Sequence, residues 1–351
     1  MKGFTHLKNM VKRHGIVIDN NQITSSPDLN VIGVFNPGVA FYHDKYYMLV
    51  RVAETGTQNN NSISIPIYVN GSINVRKFDK SDQHFDFSDS RVIKYSEGQF
   101  LTSMSRLVLC TSVDGKHFDI HNVADVVPSD KYESFGIEDP RLVVIDDDIF
   151  LTYVAVSDKG IVTKLLKTND FINYENYGII MHPDNKDVVL FPRKIDEKYY
   201  LLHRPSTSAM GKPEIWLASS PDLKHYGDHK HVLSCGDSNG FDGMRIGPSS
   251  QPIELKEGWL LIYHGCDKDT VYSLGAVLLD LNDPSKVLKR TKKPFVVPTA
   301  EYEKNGFVPN VIFSCNAVLK ENVVQIYYGA CDTYTCLLEI GLADLLGLLE
   351  D

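Results

Sequence analysis

The chain has 351 residues, 43% hydrophobic and 23% charged, with a formal net charge of −9. That length holds one large domain or two ordinary ones, and the acidic balance, with no extended Lys/Arg cluster, excludes a nucleic-acid binder. No apolar run approaches the roughly 20 residues of a membrane span, so a membrane helix is excluded as well.

The opening segment, MKGFTHLKNMVKRHG, is basic, but no apolar stretch follows it. No secretory signal is read there, and a cytoplasmic location is expected. Residues 1–30 read as an N-terminal extension. From there helical periodicity is scarce, aromatic residues are abundant, and one pattern recurs. GVAFYHDKYYMLVRVA (38–53), RLVVIDDDIFLTYVAVS (141–157), LFPRKIDEKYYLLHRPS (190–206), QPIELKEGWLLIYHGC (251–266) and NAVLKENVVQIYYGAC (316–331) each alternate apolar residues around a charged turn. Each predicts a β-hairpin whose second strand ends on Tyr, His or Arg.

A further strand and turn follow most copies, with turns at SVDGKHF (112–118), TNDFINY (168–174) and SPDLKHY (220–226). That makes four antiparallel strands per unit. The last four hairpin turns recur at about 50 to 64 residues, a blade-sized period. The first interval is about twice as long because residues 55–100 carry an insertion rich in Asn, Ser and Asp. Five units predict an all-β fold, a single five-bladed β-propeller over residues 1–351, with a large β-sandwich as the alternative. LADLLGLLED (342–351) predicts a short C-terminal helix, and TCLLEIG before it a strand that completes a blade with N-terminal residues. The six cysteines form no CxxC pair and read as reduced thiols, three of them in or beside apolar strand-like runs.

In a propeller the inner strands converge on a central funnel. Their predicted entries carry FNPG (35–38), IEDPR (137–141), LFPRK (190–194), MRIGPSSQP (244–252) and VPNVIFSCN (308–316). The predicted exits carry Arg51, Tyr153, His203-Arg204, Tyr263-His264 and Tyr327-Tyr328. Carboxylates, arginines, a histidine and tyrosines suit a polyol substrate with an anion-binding corner. Glu138 and Asp139 fall at the funnel wall, where Arg141 would orient one of them. The plainer alternative is an Asx-type turn before Pro140, with Arg141 only pairing with Glu138. IDDDIF (145–150) is a solvated hairpin tip, and HYGDHKH (225–231) lies in an outer loop without Cys partners, so no metal is expected. No Gly-rich phosphate loop precedes a helix, which argues against a nucleotide.

GIEDPRLV, together with FNPG, LLHRP, LLIYHG, YSLGAVLLDLNDP and YEKNGFVPNV, resembles glycoside hydrolase family 130, the β-mannoside phosphorylases and their few hydrolytic relatives. The motifs come in the family's order over residues 30 to 345. The resemblance implies a five-bladed propeller and inverting phosphorolysis, in which a β-mannoside and inorganic phosphate give α-mannose 1-phosphate and a shortened acceptor. It implies Asp139 as catalytic acid and a phosphate site on Arg193, Arg204, Arg245, His264 and Tyr272. Substrate contacts follow by motif position at Asn36, Arg51, Ser105, Arg106, Glu138, Arg141, Asp242, Asn310 and Asp332. Phosphate is a co-substrate, no cofactor is implied, and the partners are a mannobiose or mannooligosaccharide and phosphate. Family members can be dimers or larger, so a homo-oligomer is among the expectations. The overall likeness is to the β-1,2-mannobiose and β-1,2-oligomannan branch, with the β-1,4 branch as alternative. FSCN (313–316) and FDGMRIG (241–247) depart from the commoner family wording.

The chemistry agrees with this allocation. An inverting hydrolase needs a second carboxylate to activate water, whereas phosphate is already an anionic nucleophile and needs a cationic pocket. FPRK, HRP and MRIG supply three arginines. A hydrolase would need a base, for which Glu301 and Glu303 are the remaining candidates, and a non-catalytic sugar-binding propeller is the third reading.

Overall fold

The computed structural model describes residues 10–207 and 209–350. The first part of the N-terminal extension, residues 1–9, lies outside them, as does residue 351 at the end of the predicted C-terminal helix. Five antiparallel sheets form a five-bladed β-propeller. The first blade runs outward through Asn30–Tyr42, Lys45–Thr55, Met104–Ser112 and Asp119–Val126. The second is Ile137–Ile145, Asp148–Ser157, Gly160–Thr168 and Glu175–Met181. Asn185–Leu190, Tyr199–Pro205, Ile215–Ser220 and Gly227–Leu233 make the third. In the fourth, Arg245–Pro248 and the short Ile253–Leu255 both pair with Gly258–Cys266, followed by Tyr272–Leu279 and Val287–Arg290.

The fifth blade draws on both ends of the chain. Ile312–Lys320, Val323–Ala330 and Tyr334–Gly341 are followed outward by Val11–Ile18, which pairs with Tyr334–Gly341. Part of the expected extension is therefore the outermost strand of a blade. The short helix Leu342–Leu346 follows directly.

Both faces of a blade are covered by its neighbours, so central strands are apolar throughout rather than alternating. All nine residues of Gly258–Cys266 are buried. Each seam between blades has its own apolar cluster. Leu49 and Leu107 meet Leu142 and Leu151 between blades one and two. Leu165 and Ile180 meet Val188 and Leu201 between two and three. Leu202 and Leu217 meet Trp259 and Leu261 between three and four. Ile262 and Leu274 meet Ile326 and Leu338 between four and five. The ring closes where Tyr327 and Leu337 meet Val34 and Met48.

The inner strands share a distortion that builds the site. Their pairing slips between Phe35 and Gly38, between Glu138 and Arg141, and between Lys186 and Val189. Inside each slip one residue takes a left-handed backbone: Asn36 (φ 50°), Asp139 (φ 49°) and Asp187 (φ 57°). Asn and Asp tolerate this region better than other side chains, and a bulge re-aims what it carries. Three blades thus turn a polar side chain toward the axis at equivalent positions.

The third blade corrects the expected register. Its inner strand is Asn185–Leu190, so LFPRK stands at the opposite end of that strand from the bulge. The funnel position belongs to Lys186 and Asp187. Six free cysteines are present, five of them buried.

Candidate active site

A cavity of about 700 Å3 opens among the bulged ends of the inner strands, and all five blades contribute to its lining. One wall is acidic. Asp139 and Glu138 come from the second blade, Asp332 from the fifth, and Asn36 and Arg51 from the first. Arg51 gathers this wall: Nη1 donates to Asp139 Oδ1 at 2.9 Å, Nη2 to Glu138 Oε1 at 2.9 Å and Nε to Ser105 Oγ at 3.0 Å. Its guanidinium stacks 4.7 Å from the centre of the Phe35 ring. Asn36 Nδ2 donates to the same Asp139 oxygen at 2.8 Å, and Lys186 Nζ lies 3.5 Å from Glu138 Oε2.

Burial alone would raise the Asp139 carboxyl, but the positive charges of Arg51, Lys186 and Arg141 and the Asn36 bond outweigh it and hold it below the usual range. Asp332 behaves oppositely. Burial raises it, Arg51 pulls it down, and the neighbouring Asp139 and Glu138 charges raise it again, leaving it pushed up to about 6. Arg51 itself is raised: burial opposes its charge, but Glu138 and Asp139 more than offset that.

The other wall is cationic and is organised by Asp187. Arg141 Nη2 donates to its Oδ1 at 2.9 Å, Arg204 Nε to its Oδ2 at 2.5 Å, and His264 Nε2 lies 3.4 Å from Oδ2. Burial would raise this carboxyl, yet Arg204, His264 and Arg141 hold it well below the ordinary range. The cradle is tight, since a side chain at Gly247 would collide with Asp187 and His264. On the fourth blade Arg245 Nη1 donates to Tyr272 Oη at 2.8 Å. Burial raises the Tyr272 phenol and Arg245 opposes that rise. His264 is lowered by burial, against the pull of Asp187, so its imidazole is neutral near pH 7.

With this geometry in hand, comparison with known proteins identifies the chain's relatives. Residues 89–351 match the family model described as β-1,4-mannooligosaccharide phosphorylase, that of glycoside hydrolase family 130. The chain belongs to glycoside hydrolase family 130. It is an enzyme of this mannoside phosphorylase family. Among its relatives, a β-1,2-mannobiose phosphorylase of Listeria innocua is 42% identical over 327 residues, 91% of this chain and 92% of that protein. A 1,2-β-oligomannan phosphorylase of Thermoanaerobacter sp. is 40% identical over 66% of this chain and 76% of its own length. The structure of the Listeria innocua β-1,2-mannobiose phosphorylase in complex with β-1,2-mannobiose superposes with a TM-score of 0.92, at 39% identity over 96% of this chain and 98% of that one.

Of the residues that the family motifs single out, Asn36, Arg51, Glu138, Asp139, Arg204, Arg245, Tyr272 and Asp332 line the cavity. Ser105, Arg141 and His264 stand one layer behind it, each bonded or close to a lining residue. Four stand elsewhere. Arg193 is on the surface, where it pairs with Glu254 at 2.6 Å and lies over Trp259. Arg106 is buried between Glu54 and Asp125, on the opposite face of its strand from Ser105, because side chains alternate along a strand. Asp242 accepts from Tyr263 Oη at 2.8 Å and from Arg290 Nη2 at 2.7 Å, outside the lining. Asn310 contributes its backbone carbonyl to Tyr272 N at 3.1 Å and does not line the cavity. The exit tyrosines also turn away: Tyr153 bonds Glu133, Tyr327 the Gly115 carbonyl and Tyr328 Glu303.

Lys186, Asp187, Arg91 and Phe313 line the cavity without having been singled out. The first two had a readable signal, because Lys186-Asp187-Val188 repeats the pattern of Glu138-Asp139-Pro140 ahead of an apolar run.

Proposed function

We propose that the chain catalyses inverting phosphorolysis of β-mannosides, preferring β-1,2-mannobiose, to give α-D-mannose 1-phosphate and mannose. The observation that carries this reading is the cationic wall of Arg204, Arg245 and Tyr272 facing the carboxylates. In the proposed step, phosphate held there attacks C1 of the mannosyl unit from the α face. The C1–O bond to the leaving mannose breaks, and Asp139 gives its proton to the departing oxygen. Glu138, Asp332, Asn36 and Arg51 hold the mannosyl hydroxyls, and Asp187 keeps Arg204 and Arg141 in place.

Asp139 meets the step from a depressed pKa, and phosphate supplies the remedy. A dianion on the Arg204 side offsets the positive field that keeps Asp139 ionised, so the carboxyl gains its proton as the nucleophile binds. Hydrolysis is disfavoured by the carboxylates it would need. Glu303 is fully buried and takes bonds from Arg13 (2.8 Å), Tyr328 (2.7 Å) and the backbone at Thr299 and Ala300. Glu301 is exposed and bonded to Asn305. Asp187 is engaged by Arg141, Arg204 and His264.

The preference for β-1,2 linkages is supported by the relative that matches 91% of this chain, a β-1,2-mannobiose phosphorylase, although the family model carries a β-1,4 description. The test is product analysis on β-1,2- and β-1,4-mannobiose with and without phosphate. Mannose 1-phosphate is expected from the β-1,2 substrate, only with phosphate, and its formation should fall about 10²–10⁴-fold in Asp139→Asn. Free mannose released equally fast without phosphate would overturn the proposal.

A further inference from the structure

We propose that Ser249 is a positioning residue of the phosphate wall: its hydroxyl donates to His264 Nδ1 and so commits His264 to donating from Nε2 to Asp187. This rests on the phosphorolysis reading for what the wall binds, but not for where the hydrogens lie.

The imidazole is enclosed. His264, Ser249 and Asp187 are each 0% exposed. The centre of the Phe313 ring lies 4.4 Å from that of the imidazole. At Gly247 a side chain would stand only 2.6 Å from the imidazole Cε1, so the backbone closes against the ring there. A ring packed in this way cannot turn over, and what each nitrogen faces is fixed. Ser249 Oγ lies 3.2 Å from Nδ1, and Asp187 Oδ2 lies 3.4 Å from Nε2. Among the described residues the buried Nε2 has no closer hydrogen-bond partner than this carboxylate.

The hydrogens follow from what these groups can do. A carboxylate only accepts, whereas a hydroxyl either donates or accepts. Arg204, His264 and Arg141 hold Asp187 ionised, and burial keeps the imidazole neutral, so the ring has a single hydrogen to place. On Nε2 that hydrogen points at Asp187. On Nδ1 it would leave a nitrogen lone pair facing a carboxylate oxygen at 3.4 Å. The hydrogen therefore sits on Nε2, Nδ1 is bare, and the Ser249 hydroxyl is the donor that satisfies it.

Ser249 is itself fixed. Its N–H donates to the Ile262 carbonyl at 3.0 Å, and its own carbonyl accepts from Arg141 Nε at 3.4 Å. One residue thus holds two of the three groups that surround Asp187. The third, Arg204, donates to Oδ2, the same oxygen that His264 faces. Without the hydroxyl, Nδ1 becomes a buried acceptor with no donor. Relieving that defect moves the ring, takes Nε2 off Asp187 and loosens the carboxylate that aims Arg204.

Nitrogen-15 NMR of histidine-labelled enzyme reads the tautomer directly, with the His264 signals assigned by their loss in His264→Gln. A bare Nδ1 and a protonated Nε2 are expected at pH 7, and a hydrogen on Nδ1 would overturn the inference whatever the variants do. Calorimetric titration of inorganic phosphate into Ser249→Ala should show affinity about 5- to 20-fold weaker than for the unsubstituted enzyme. Ser249→Cys, whose thiol donates weakly, should fall between. Mannobiose is titrated into Asp139→Asn with and without Ser249→Ala, and the two should agree within about twofold. A merely structural role would lower the melting temperature and the fraction of protein able to bind, and leave the phosphate affinity of that fraction unchanged. Phosphate affinity within about twofold of the unsubstituted enzyme, or an equal loss for mannobiose, would therefore overturn the inference. Free mannose released without phosphate by the unsubstituted enzyme would instead remove the phosphorolysis reading, and the spectrum would still decide where the hydrogen lies.

Discussion

Asp187 is the residue on which the cationic wall depends, and replacing it by Asn isolates its charge with little change of shape. Its side chain is 1% exposed, and its partners Arg141 and Arg204 are 3% and 7% exposed, so solvent cannot take over the lost charge. Removing one member of such a buried group costs about 3–5 kcal/mol, because the cations left behind are uncompensated. At about 2.1 cal/mol/K of unfolding entropy per residue, a chain of this length loses roughly 4–7 °C in melting temperature. Asp187 has a depressed folded pKa, so its contribution is present above the unfolded value near 3.9 and is lost as pH falls toward the folded one. The gap between wild type and Asp187→Asn should therefore be full at pH 7 and narrow in acid. Thermal melts at several pH values, with the KM for phosphate alongside, check this. A melt within about 1 °C of wild type at pH 7, with an unchanged phosphate KM, would refute the reasoning.

Asp332 gives the opposite sign. Its carboxyl is raised from 3.8 to about 6. The folded state therefore holds more protons than the unfolded chain between those values, and stability falls as pH rises through them. Asp332→Asn should be more stable than wild type at pH 7, on the order of 1–3 kcal/mol, with the difference gone near pH 4; parallel denaturation midpoints across that range would exclude this. Arg193→Ala should change stability by less than about 1 kcal/mol, as for an exposed pair, and leave the phosphate KM alone. Arg204→Ala should raise that KM more than tenfold, and equal effects of the two in steady-state kinetics would contradict the cavity's lining.

The propeller was legible because each blade repeats a hairpin with a charged turn, and burial of both faces leaves apolar runs that no helix pattern interrupts. Most of the acidic wall was legible too, since FNPG and EDPR carry the bulge, the polar side chain and the proline together. The third blade misled because its bulge has Val188 where the second has Pro140, while a proline appears at Pro192 beyond the strand. That displaced the expected arginine to Arg193 and hid Lys186 and Asp187. Arg106 misled for a different reason. SMSRL places it beside Ser105, but neighbours in a strand face opposite ways, and the buried pair with Glu54 and Asp125 is visible only in three dimensions. Arg91 gave no signal, because the insertion carries no repeat against which to align it.

The pairing of Val11–Ile18 with Tyr334–Gly341 sets a timetable for the molecule's birth. Val11–Ile18 leaves the ribosome long before the strand it pairs with. At about 5–20 residues per second the wait is on the order of tens of seconds. Throughout it, the strand keeps an open edge and the seam facing the first blade stays bare. Asn36 and Asp139 meet through the first two blades alone, but Asp332 joins them only when the ring shuts. The cavity of the emerging chain therefore lacks a wall until the fifth blade arrives, and the unpaired edge of Val11–Ile18 is where a chaperone would be needed most.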